Sequence, residues 1–138
     1  MPPLTKKYSL KHTFLFLITL LLNVYAFAAD EKARALIHAL SYIEGDYVHA
    51  VKDGKVINEA EYEEMHEFAE NILTFYNDFS ATLSASDTAL YGTKVRALFA
   101  DVQQKKDAKQ VAAAAVFLKK EFIRIGKVST SPTAYPDI

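Results

Sequence analysis

The chain has 138 residues, 51% of them apolar, with no Cys, no Trp, four Gly, four Pro and a formal charge of -1 at pH 7. That length holds one domain, and its apolar content with few Gly and Pro excludes a disordered or collagenous protein. The lack of Cys excludes a disulfide scaffold, a thiolate metal centre and covalent haem attachment.

In chain order, the first element is an export signal over residues 1–28. Lys6, Lys7 and Lys11 precede an apolar stretch from Phe14 to Phe27, and Ala26-Phe27-Ala28 supplies small residues for cleavage after Ala28. The stretch is interrupted by Thr19 and Asn23 and is shorter than the roughly 20 residues that span a bilayer, so the mature chain is not expected to be an integral membrane protein. A periplasmic or otherwise extracytoplasmic location follows.

Residues 29–126 carry four segments with apolar spacing near 3.6 residues. The first, from about Asp30 to Val51, aligns Ala33, Leu36, Ile37, Leu40, Ile43, Tyr47 and Val51, provided that Gly45 leaves the register intact. Asp53-Gly54 is a turn signal. Asn58, with Glu61 three places on, has the pattern of a capping box, and Tyr62, Met65, Phe68, Ala69, Ile72, Phe75, Tyr76 and Phe79 follow in phase. After a polar connection over Ser80–Ser86, a third helix begins near Asp87 with Tyr91, Val95, Leu98, Phe99 and Val102 on one side. Asp107 caps a fourth helix carrying Val111, Ala115, Leu118, Phe122 and Ile125, which Gly126 ends. Short connections between such helices predict an all-α, antiparallel up-down-up-down four-helix bundle. Residues 127–138, rich in Ser, Thr and Pro, read as a linker, which suggests a truncated or split larger protein.

Charge is distributed unevenly. Residues 30–78 hold 12 acids and 4 bases, whereas residues 79–138 hold 5 acids and 9 bases, so the halves should attract when folded together. Without residues 1–28 the chain carries 13 bases against 17 acids, a poor balance for binding nucleic acid.

The second helix concentrates the acids: Glu59, Glu61, Glu63, Glu64, Glu67, Glu70 and Asp78, with no base. Carboxylates three residues apart on a helix can reach one hard cation, but a three-residue spacing drifts by about 60° per step, so only adjacent pairs can share an ion. By phase, Glu61 falls inside the apolar arc and Glu64 at its edge, while Glu59, Glu63 and Glu70 point to solvent. Glu44 also falls within the apolar stripe of the first helix. Glu63-x-x-His66 has the spacing of half a di-iron site, and no second E-x-x-H exists to complete it. His38 and His49 lie on the polar side of the first helix.

Two adjoining patterns resemble a known family. The stretch from Tyr42 to Val56, with D-Y-x-x-A-V-x-D-G-x-V beginning at Asp46, and E-Y-x-E-M-x-E-F over Glu61–Phe68, resemble the N-terminal extracytoplasmic domain of bacterial high-affinity iron permeases, the type fused to a c-type cytochrome. The similarity is densest over residues 36–68. The cytochrome's C-x-x-C-H and the permease's R-E-x-x-E are both absent. The resemblance therefore implies a non-enzymatic accessory role outside the inner membrane, presenting iron to a permease or docking against a redox partner, with an iron permease and a c-type cytochrome as the implied partners. It implies Asp46, Asp53, Glu61, Glu64 and Glu67 as ligands for weakly bound iron. Oxygen-only ligation suits a hard cation. The alternatives are a free-standing periplasmic bundle that binds a metal or small ligand, and a purely structural interaction module.

Overall fold

The computed structural model describes residues 10–128, with side chains placed from Asp30 to Val128. Four helices run α1 (Leu10–Ala50), α2 (Glu59–Ser80), α3 (Ala85–Gln103) and α4 (Ala108–Gly126), and a minimal hairpin of β1 (Val51–Lys52) and β2 (Lys55–Val56) joins α1 to α2. The helices form a four-helix bundle in cyclic order, with α1 against α2 and α4, and α3 against the same two. No helix among the described residues is long and apolar enough to cross a membrane. The cleavage site is not addressed by this description, because the side chains of residues 10–29 and all of residues 1–9 and 129–138 lie outside it.

The apolar stripes meet as their spacing predicts. Leu36, Leu40, Ile43 and Tyr47 of α1, Met65, Ile72 and Phe79 of α2, Val95 and Leu98 of α3, and Leu118 and Phe122 of α4 are all buried. Phe122 forms the centre of an aromatic cluster, with ring centroids 5.8 Å from Tyr76, 5.7 Å from Phe79 and 5.6 Å from Tyr91. No charged side chain is buried among the described residues, and no buried side-chain N or O there lacks a hydrogen bond.

The condition placed on Gly45 is met, and several other details differ from expectation. Gly45 leaves α1 unbroken, because a side chain there would point into open space and the packed Ile43 and Tyr47 on either side hold the helix. Val51 belongs to the hairpin rather than to the helix, and pairs with Val56. The tight turn is made by Asp53 (φ 51°) and Gly54 (φ 73°), both in the left-handed region that two-residue hairpin turns require. The third helix starts two residues before Asp87. Ser84 is its N-cap and Asp87 its third-position partner: the Asp87 N–H donates to Ser84 Oγ at 3.1 Å, and that hydroxyl donates to Asp87 Oδ2 at 2.9 Å.

The left-handed residue at the end of α4 is Lys127 (φ 50°), not Gly126. Gly126 is small for another reason: a Cβ there would come within 3.2 Å of Ala33 Cβ and of Val128 Cγ2. Val128 is itself buried, so packing extends past the helix end.

Candidate functional site

The five acids singled out by sequence are placed by three elements. Asp46 is half-buried on α1, and Asp53 is exposed at the hairpin tip, where its positive φ serves the turn. Glu61, Glu64 and Glu67 occupy successive turns of α2, the first half-buried and the other two exposed. The α2 start is fixed by Asn58, whose side-chain Oδ1 accepts the Glu61 N–H at 3.4 Å, while the described hydrogen bonds include none from Asn58 N–H back to the Glu61 carboxylate. The capping box is thus one-sided, and the Glu61 carboxylate is left available.

Register decides which acids approach one another. Tyr42 of α1 stacks on Phe68 of α2 with centroids 4.5 Å apart and planes 6° from parallel. One turn onward in α1 and one turn back in α2, Asp46 and Glu64 stand at the same level of the α1–α2 groove. Glu67 points away from that groove, two α2 turns from the cap, and Asp53 sits at the end of the bundle, where Gly54 approaches the Lys105 carbonyl. Among the described residues, no group of three or more His, Asp or Glu is arranged to hold a metal ion. The five acids therefore lie on three elements, with Asp46 and Glu64 at one level and the rest spread along α2 and the hairpin tip, and do not form a closed cage.

The remaining candidates have structural partners. Glu44 makes an ion pair with Lys119 across the α1–α4 seam, so the acid that phase sends inward meets a base there. His66 lies 3.6 Å from Glu70 and packs against Tyr62 and Phe99. His38 is exposed and meets Tyr42 edge-on at 4.9 Å. It also lines a groove of about 480 Å³ between α1 and α2, with Arg34, Phe68, Asn71 and Phe75 among its walls. Helical phase alone marks Phe68 and Phe75 as core, and it is the gap between helices that half-exposes them.

The tyrosines fix the ends and corners of the bundle. The Tyr47 hydroxyl donates to the Lys106 carbonyl at 3.2 Å, tying the hairpin end of α1 to the α3–α4 connection, and burial pushes its pKa up to about 12. Tyr62 donates to the Val102 carbonyl at 3.2 Å and Tyr76 to the Thr88 carbonyl at 2.6 Å. Tyr91 donates to Glu121 at 2.5 Å, and that bond raises the pKa of the Tyr91 hydroxyl. Arg124, 2.6 Å from the same carboxylate, holds Glu121 below the usual range, helped by Tyr91. Sequence gives no sign of the four tyrosine bonds, because each joins residues on different elements through a hydroxyl that apolar spacing counts as core.

One surface carries a row of acids that have no Lys or Arg partner among the described residues. Glu59, Glu63, Glu64, Glu67 and Glu70 are exposed along α2, which has no base of its own. The bases of the second half lie on α3, α4, their connection and Lys127 just past α4, and Glu44–Lys119 is the only ion pair between the two halves among the described residues.

A family model described as an iron permease-associated 4-helix bundle domain matches residues 28–127, spanning the hairpin and all four bundle helices. Searches of curated proteins and of solved structures return no match.

Proposed function

This chain belongs to the iron permease-associated 4-helix bundle family, and from that membership we propose that it is an extracytoplasmic accessory domain of an iron-uptake system, docking on a permease or its redox partner through the acidic face of α2. The family match over residues 28–127 carries the reading. Export by the signal at residues 1–28 belongs to the same proposal.

The chemistry supports docking with exchangeable iron contact over tight storage. Five exposed carboxylates on one helix present a row of like charge that attracts a basic partner surface and accelerates its approach. Iron, as cargo, would be met by carboxylate pairs: Asp46 with Glu64 across the groove, and Glu64 with Glu67 along the helix. Two carboxylates hold a hard cation weakly, and weak holding allows release to the next site. Asp53 and Glu61 complete the set that the resemblance implies, as further contacts beside these pairs.

The test is binding of the labelled chain to the iron permease reconstituted in lipid nanodiscs. Replacing Glu63, Glu64, Glu67 and Glu70 together by Gln should weaken binding at least tenfold at low salt and flatten its salt dependence. Unchanged affinity in the neutralised variant would remove the α2 face from the proposal. In parallel, iron titration of wild type and of the Glu64→Gln, Glu67→Gln double variant should give a weaker response in the variant; equal responses would remove those acids as iron contacts.

A further inference from the structure

The α3–α4 face is opposite in character to α2. Leu90, Lys94, Ala97 and Asp101 form one stripe along α3, and Gln110, Ala114, Phe117 and Glu121 form the facing stripe on α4. Between them lies a groove of about 240 Å³ whose floor is Leu98 and Leu118 and whose walls include the small side chains of Ala97 and Ala114. Leu90 and Phe117 stand on this face 50% and 44% exposed, large apolar groups for a helix surface. An apolar groove beside exposed apolar groups is a docking geometry, and its charges specify the occupant.

Lys94 and Asp101 are seven residues apart on the same stripe, and Ala97–Leu98 lies midway between them. Neither is in an ion pair among the described residues. Lys94 is instead held over the Phe117 ring at 4.8 Å, and Asp101 accepts the Gln110 amide at 3.1 Å. If α3 crosses a second α3 in the opposite direction about a two-fold axis at Ala97, each Lys94 meets Asp101 of the second copy. The same axis brings the small Ala97 and Ala114 of both copies together, where they permit close approach, with the two Phe117 rings on either side. The stripe is therefore complementary to itself, which is what a two-fold interface demands.

We infer that the chain forms a two-fold homodimer through α3 and α4, with a second copy of this chain covering the groove. Two adjacent helices of 19 residues, each about 28 Å long, present a face on the scale of a standard interface. The inference is independent of the iron-uptake reading and leaves the acidic α2 face of each copy outward.

Sedimentation of the full chain over a wide concentration range tests it, with helix content checked for every variant by circular dichroism. Wild type should dimerise. Lys94→Asp alone and Asp101→Lys alone each place two like-charged pairs across the axis and should weaken the dimer at least tenfold. The double swap should restore it, and mixing the two single variants should give a heterodimer, since one then presents an acidic stripe and the other a basic one. A monomer at all concentrations would overturn the inference. So would a dimer indifferent to the single changes, which would place its interface on another face, or a mixture that fails to associate.

Discussion

Single residues decide where α1 ends and what holds it there. Gly45 sits inside the last two turns of α1, where an added Cβ would meet nothing within 4 Å. Gly45→Ala should therefore raise stability by about 0.5–1 kcal/mol, through a smaller loss of backbone entropy and no clash. A denaturant midpoint that falls would contradict a continuous helix at that position. Tyr47 is buried and its pKa is raised from 10.0 to about 12. A raised pKa favours the protonated phenol in the folded state, so this contribution is fully present below pH 10 and declines as the pH climbs from 10 towards 12, by about 1.4 kcal/mol per pH unit. Tyr47→Phe removes the titrating group along with the bond to Lys106. The stability gap between wild type and variant should shrink above pH 10 when measured by denaturant melts, and a constant gap up to pH 12 would refute the assignment.

Asp53 offers a cleaner separation of roles than any other candidate acid. Its left-handed φ is tolerated equally by Asn, so Asp53→Asn keeps the hairpin while deleting the charge. Melting behaviour should be unchanged, and any loss of iron response in that variant would belong to the carboxylate alone. Sequence made the turn legible through Asp-Gly, but left this residue's two readings unresolved. Geometry assigns the backbone role without addressing the charge.

At the scale of elements, the periodic features were readable and the cooperative ones were not. Four helices, their inward stripes and the caps at Asn58 and Asp107 follow from spacing and side-chain chemistry. The start of α3 is misplaced by sequence because Asp87 is a good cap in its own right, while the structure uses Ser84 as the cap and Asp87 as the third-position partner. Ser84→Ala should cost about 1 kcal/mol in a chemical melt, with a negligible effect pointing to a frayed first turn. The end of α4 misleads for a related reason. Gly126 looks like a terminating glycine, yet its lack of a side chain serves the contact with Ala33, and Lys127 takes the left-handed conformation. Phe122, fully buried among three rings, ties α4 to α2 and α3. Phe122→Ala should destabilise by about 3–5 kcal/mol, more than any change on the exposed α2 face.

Across the whole molecule, the opposite charges of the two halves are laid on different outer faces. The net charges of the halves suggest mutual attraction, but ion pairs between them reduce to Glu44–Lys119 among the described residues, because helical phase turns the α2 acids away from α3 and α4. The fold keeps an acidic face and a mixed, apolar-streaked face apart, which suits a domain that meets a partner on one side and a second copy on the other. The candidate acids were legible as a cluster in sequence. Which acids of α1 and α2 share a level depends on the Tyr42–Phe68 register, which no linear pattern encodes. An accessory role in iron uptake is tested by the rate of iron uptake at limiting external iron in cells with and without this chain. The rate should be several-fold lower without it, restored by wild type and not by the variant with Glu63, Glu64, Glu67 and Glu70 replaced by Gln. Equal uptake in the presence and absence of the chain would contradict that role.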